Sequence, residues 1–260
     1  MVETSLPLRP GDPRLIGGYR VLGRLGSGWQ GQAFLATTQS GRHLTIRVVT
    51  APSADFRKRF RSEIAAAQRV RHPSVAPVID AHADAPDPWW ATVHVPGPSL
   101  PQVVEQHGPL PPRALTILFA QLAEGLRAIH EADAVHGDLA PSSVILADDG
   151  PRIIDLGAVG NGGDDVRALG ALMSFAATAR EGDADLAAVP APLRDLIERC
   201  LTGTPDLAEI IATLETPAPG TATPVRVTKA PPTRPEFRPP PDLQVFPVVS
   251  LNPVAETTLP

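Results

Sequence analysis

Apolar and polar positions follow two periods along this chain, and the period changes about a third of the way in. Tyr19-Arg-Val-Leu-Gly-Arg-Leu25 alternates as a half-buried strand does, and Gln32-Ala-Phe-Leu-Ala36 resumes a strand after a glycine-rich turn. Leu44-Thr-Ile-Arg-Val-Val49 is rich in β-branched residues, and Trp89-Trp-Ala-Thr-Val-His-Val95 reads as a further strand. From Ala54 to Val70, Phe56, Phe60, Ile64 and Ala67 recur at helical spacing. Pro112 to Glu131 predicts a longer helix, opened by Pro111-Pro112, with Leu115, Leu118, Leu122, Leu126 and Ile129 along one face. Shorter helical patterns cover Asp165 to Ala177, Leu193 to Leu201 and Leu207 to Leu214. Strands with one helix, followed by helices, predict a two-lobed α+β domain over 15–215. Its small β-rich N-lobe covers about 15–95 and its helical C-lobe about 96–215.

Composition adds boundaries to this picture. From Pro217 onward stand twelve of the 31 prolines, so 216–260 is expected to be an extended tail rich in Pro and Thr. Residues 1–14 read as a short polar lead-in. An apolar fraction of 43% is enough for a core, and a net charge of -5 offers nucleic acid no attraction, so none is expected as a partner. The Arg57-Lys58-Arg59 and Arg69/Arg71 runs read as a solvated helix face. The single cysteine, Cys200, fits a buried thiol in a reducing compartment and not a nucleophile. No apolar run approaches the roughly 20 residues of a membrane span, and the N-terminus lacks the pattern of a secretory signal, so a cytoplasmic location is expected.

The candidate chemistry begins at Gly26-Ser-Gly-Trp-Gln-Gly31, a Gly-x-Gly-x-x-Gly run set between two strands. Glycines let backbone amides approach phosphates, and the strand–turn–strand setting excludes the dinucleotide fold, which needs a helix there. Further along stand Leu44-Thr-Ile-Arg47, then Glu63 in a helix, His136-Gly-Asp138, Asp155-Leu-Gly157 and Asp165-Val-Arg-Ala-Leu-Gly170. This order resembles the protein kinase family from about Tyr19 to Leu214. The wording at His72-Pro73 and Gly97-Pro-Ser-Leu100 is that of actinobacterial serine/threonine kinases. The resemblance implies a kinase-like fold. It makes Gly26, Gly28, Gly31, Arg47, Glu63 and Asp155 the vestige of a nucleotide site, with Thr45 against the base and Thr92 at the back of the cleft.

Departures from the family pattern carry equal weight. Arg47 stands in place of the strand lysine, a bulky fork for a compact ammonium, and is expected to pair with Glu63. Asp138 stands where a kinase keeps its base, but Ala140 replaces the loop lysine and Ser143 the metal-binding asparagine. Only seven residues separate Gly157 from Asp165, where a protein kinase places a few tens of residues for its activation segment. The expectation is therefore a pseudokinase with no catalytic residue. It would be no enzyme and require no cofactor, with ATP and magnesium binding weak or absent and Asp155 the metal ligand if there is one.

The resemblance is greatest to the pseudokinase domain attached to the mycobacterial lipid flippase of the MviN/MurJ type. That implies a phosphorylation-regulated scaffold, phosphorylated on the tail by an active Ser/Thr kinase and read by a forkhead-associated domain. Thr228 and Thr233, flanked by basic residues, are the candidate phosphorylation sites. Regulation of peptidoglycan precursor export at the inner face of the membrane, with a membrane protein as partner or fusion, belongs to the same reading. A competing class is a residual nucleotide-binding protein or a small-molecule phosphotransferase of the aminoglycoside or choline type. Such enzymes share His-Gly-Asp and lack an activation segment.

Overall fold

A computed structural model gives the fold, and residues 5–28, 31–50, 52–156, 164–182 and 184–215 are described. The chain divides into two units, Met1–Arg226 and Val227–Pro260, and all of these residues lie in the first. Six antiparallel strands form one sheet: β1 (Leu15–Ile16), β2 (Tyr19–Gly28), β3 (Gly31–Thr37), β4 (His43–Val48), β5 (Val78–His82) and β6 (Trp89–Val93). Their order is β1-β2-β3-β4-β6-β5, with helix α1 (Ala54–Ala67) between β4 and β5 in sequence. Burial in β4 shows why a strand forms there. Leu44 and Ile46 are fully buried, while Thr45 and Arg47 alternate to the opposite face.

The helical part holds α2 (Leu100–His107), α3 (Pro112–Glu131), a two-stranded hairpin of β7 (Val144–Ala147) and β8 (Gly150–Ile153), then α4 (Asp165–Thr178), α5 (Ala191–Leu201) and α6 (Leu207–Glu215). The apolar stripe foreseen for α3 is its buried face: Leu115, Leu118, Phe119, Leu122, Leu126 and Ile129 all join the main core. Phe60 and Trp90, with rings 5.5 Å apart, carry that core up into the β-rich part, so α1 and β6 pack on the same apolar mass as α3. A second cluster, including Val21, Phe34, Leu44, Ile46 and Trp89, fills the other side of the sheet. The β-rich and helical lobes foreseen from the sequence are present.

The basic runs are a solvated face in part: Lys58, Arg59, Arg69 and Arg71 are exposed, but some arginines also reach neighbouring elements. Arg57 donates to the carbonyls of Ala85 and Pro86, Arg61 pairs with Asp84, and Arg69 donates to Ala132 O at the end of α3. These side chains staple the helix to the β5–β6 connection and to α3 and are not merely solvated. Their stems lie along the protein while their forks find carbonyls, a use of arginine that the charge pattern alone does not reveal. Elements β5, α2 and the β7–β8 hairpin are additions to the sequence reading. All three are short. Replacing the fully buried Phe119 with alanine should cost about 3–5 kcal/mol, measured as a lowered urea midpoint at unchanged slope.

Candidate functional site

The site is assembled around one buried carboxylate. Asp165, 4% exposed in the first turn of α4, accepts from the backbone amides of His136 and Gly137, each at 2.9 Å, and bonds His130 Nε2 at 2.8 Å. Burial works to raise its pKa, but the bonds from His130, Gly137 and His136 together outweigh it and hold the carboxyl below its ordinary value of 3.8. The loop so clamped carries Asp138. His136 is buried and holds the loop: its Nε2 bonds Ile154 O at 2.9 Å. The other end of the loop folds into a 3-10 turn over Pro141–Ser143, where Ser143 O accepts from Ile154 N at 2.9 Å. Asp138, Ala140, Ser143 and Asp155 thus sit on two segments tied side by side.

Asp155 follows β8 in a left-handed conformation, φ 68°, which aspartate tolerates better than most side chains. Its carboxylate meets Arg47, reaching from β4 on the face opposite Leu44 and Ile46. Arg47 Nε donates to Oδ1 at 2.8 Å and Nη2 donates to Oδ2, a two-pronged pair in which both side chains are less than one-fifth exposed. The expected Arg47–Glu63 pair is not the one formed. Glu63 instead bonds Arg59 one turn earlier on α1, at 3.4 Å. Guanidinium reach explains the exchange, because a fork longer than an ammonium spans to the facing loop.

Two residues along β4 from Arg47, Thr45 Oγ1 lies 3.0 Å from His94 Nδ1 just past β6. His94 is therefore partly buried rather than solvent-facing, and burial followed by the nearby His43 lowers its pKa, keeping the ring neutral near pH 7. Thr92 is buried beside it. Gly28 and Gly31 face one another across the β2–β3 turn. A Cβ on Gly31 would lie 2.1 Å from Val48 O, so packing against β4 alone demands glycine there. Among the described residues, nothing lies within 4 Å of where a Cβ on Gly26 would be. Cys200 is buried, and burial first of all pushes its thiol up to about 11, which leaves it protonated and suited to packing. Thr228 and Thr233 lie outside the described residues, as do 157–163.

Among the described residues no three His, Cys, Asp or Glu side chains gather to hold a metal by themselves. Nor is any helix long and apolar enough to cross a membrane. The sequence reading missed His130 and the clamping role of Asp165. Their spacing of 35 residues carries no periodic signal, and only the fold brings them together.

With this geometry in view, the comparisons with known proteins are direct. The protein kinase domain model matches residues 19–181, and the chain belongs to that family, close to its bacterial serine/threonine branch. PkwA of Thermomonospora curvata, named a probable serine/threonine-protein kinase, is 38% identical over 81% of this chain and 35% of its own length. The serine/threonine-protein kinase AfsK of Streptomyces coelicolor is 39% identical over 78% of this chain and 32% of its own. The chain thus spans about a third of the length of these relatives. A solved structure of Rad53 residues 1–466 in complex with AMP-PNP superposes with a TM-score of 0.64 at 16% identity, over 74% of this chain and 64% of that one, and shares the fold.

These relatives correct two expectations. At 38–39% identity over most of the chain they are named kinases, which overturns the reading of a non-enzyme. The same kinship to named kinases overturns the reading that no cofactor is required and that ATP and magnesium bind weakly or not at all. The substitutions at Arg47, Ala140 and Ser143 stand in a sequence that is otherwise kinase-like.

Asp165 gives a prediction. A carboxyl held below its ordinary value stabilises the fold at pH above that ordinary value, and the contribution is lost as pH falls through the lowered one. Asp165→Asn leaves at least one buried donor unpaired and should cost about 1–3 kcal/mol at pH 7. Below pH 4 the difference from the unmodified protein should shrink, as read by urea unfolding at pH 7 and pH 3.

Proposed function

We propose that this chain is a kinase domain that binds ATP with magnesium and passes a phosphoryl group to a hydroxyl acceptor. The supporting observation is the fixed juxtaposition of the Asp138–Ser143 loop with Asp155, facing Arg47 across the cleft. Magnesium is a hard cation that takes oxygen ligands, and in nucleotide sites one or two carboxylates suffice beside the phosphates. Asp155 supplies one carboxylate and Ser143 a hydroxyl, so the donor set fits. When bound, the metal would neutralise charge on the phosphates as the bond to the transferred group breaks.

The remaining roles fall to the chain. The amides of the glycine turn receive phosphate oxygens. Arg47 must release Asp155 on nucleotide entry, and its fork matches phosphate as well as carboxylate. Asp138 accepts the proton of the acceptor hydroxyl. Ala140 supplies no cation to the transferring group, and loss of one such electrostatic contact costs about 10²–10³ in rate, so the enzyme is slow.

In the same proposal the tail carries the regulatory output. An active serine/threonine kinase modifies Thr228 or Thr233, and a forkhead-associated domain reads the phosphate through arginines. Control of peptidoglycan precursor export through a membrane-protein partner is the cellular role this arrangement suits. The run of only seven residues between Gly157 and Asp165, where a protein kinase places its activation segment, favours a small acceptor of the aminoglycoside or choline type as the second reading.

Thermal unfolding with ATP and magnesium tests the nucleotide site. At a ligand concentration of about 100 times Kd, stabilisation of roughly 2.7 kcal/mol should appear, and it should need magnesium. Asp155→Ala should abolish the magnesium dependence. No stabilisation of the unmodified protein would sink the reading. For the tail, incubation with an active serine/threonine kinase should yield phosphopeptides containing Thr228 or Thr233, whereas label confined to 1–215 would refute the assignment.

A further inference from the structure

Residues 5–14, set apart from the domain in the sequence reading, add a strand-like segment to β2. Leu6 and Arg24 exchange both backbone hydrogen bonds, at 2.8 and 2.9 Å, and Val21 N donates to Arg14 O at 3.0 Å. The approach is close: a Cβ on Gly23 would stand 2.6 Å from Ser5 Oγ and 2.9 Å from Leu6 O. Between these two points the segment turns back on itself, with Asp12 N donating to Arg9 O at 3.1 Å and Arg9 N donating to Asp12 Oδ2 at 2.6 Å. The turn aims Asp12 at the sheet.

From Asp12 a chain of hydrogen bonds runs to both ends of the glycine turn. Asp12 Oδ1 accepts from Arg24 Nη1 at 2.6 Å, with the two side chains only 10% and 14% exposed. Arg24 Nη2 donates to Gln32 Oε1, and the amide nitrogen of Gln32 donates to Gly26 O and, at 3.2 Å, to Ala33 O. The Arg24 guanidinium also lies over the Phe34 ring, 5.9 Å from its centre. Gly26 opens the glycine turn and Gln32 is the first residue after it. The pairing of β2 with β3 is irregular between Arg24 and Gly26, and among the described residues nothing lies within 4 Å of where a Gly26 Cβ would be. The polar bonds from Asp12 through Arg24 and Gln32 hold this end of the turn.

We infer that the 5–14 segment is a strap whose Asp12, through Arg24 and Gln32, sets the position of the phosphate-binding glycine turn. Asp12, Arg24 and Gln32 are positioning residues: they act through Gly26 and touch no nucleotide. The inference rests on the nucleotide reading for its functional consequence. The contact between strap and turn is independent of it.

The experiment compares the full chain, Asp12→Ala, Asp12→Glu and Gly23→Val, the last displacing the strap by collision. Amide hydrogen exchange is followed without nucleotide, and ATP–magnesium affinity is measured by titration. Breaking a charge-assisted bond should speed exchange within 24–34 roughly tenfold in Asp12→Ala and weaken ATP binding by a similar factor. Exchange in α3 and α4 should stay unchanged, and Asp12→Glu should recover both properties. Unaltered exchange within 24–34, or an equal rise in α3 and α4, would overturn the strap. Unaltered ATP affinity alongside faster exchange would overturn its positioning role. Failure of the unmodified chain to bind ATP would show in every sample and count against the nucleotide reading, while the exchange data still decide whether the strap holds the turn.

Discussion

A single ionised side chain, Asp165, organises the helical half of the cleft. A buried carboxylate is costly unless its lone pairs are filled, and here two backbone amides and a histidine fill them. The constraint runs outward in two directions. It fixes the backbone at His136 and Gly137, hence the placement of Asp138 next along the chain. His136 then reaches Ile154, so the residue before Asp155 is held by the same clamp. One carboxylate at the start of α4 thereby positions two others that face the cleft.

The β-rich side answers with one strong cation. Arg47 and Asp155 join the sheet to the facing loop through two parallel hydrogen bonds at a site largely shielded from water. A lysine could not make the same fork, so the replacement of lysine by arginine changes the partner as well as the shape. Glu63, relieved of that partner, bonds within its own helix. Helix α1 gains its anchorage instead from Arg57 and Arg61, and from Arg69 just past its end, which tie it to neighbouring carbonyls and to Asp84. The glycine turn is governed from a third place, the segment before β1. Arginine recurs in these supports: Arg47 bonds Asp155, Arg57 and Arg61 bond the connection between β5 and β6, and Arg24 bonds Asp12 and Gln32.

Membership of the kinase family and the substitutions at the site describe different scales. Identity of 38–39% is spread over most of the chain and reflects the fold and its supports. Three of the departures fall at cleft positions, where one atom more or less alters rate strongly and stability little, and a further one is the short run between Gly157 and Asp165. A domain can therefore be kinase-like throughout and still carry Ala140, Ser143 and Arg47. Judged only from those positions, the sequence suggested lost chemistry. Judged from the whole chain, it groups with named kinases.

What the sequence determined by itself was local. The alternation in β2 and β4 and the 3.6-residue stripe of α3 are set by neighbours within one or two turns of the chain, so those elements were legible, as was the two-lobed order. The order of Gly26, Arg47, Asp138 and Asp155 marked the candidate site for the same reason. Partner choice was not legible. Glu63 and Asp155 are both carboxylates, and which of them Arg47 meets depends on distances across two lobes. His130 and Asp165, or Asp12 and Arg24, carry no spacing that announces contact, and β5, α2 and the β7–β8 hairpin are too short for a firm period. Hydrogen bonds and ion pairs act over about 3 Å, and only tertiary structure decides which distant residues come that close.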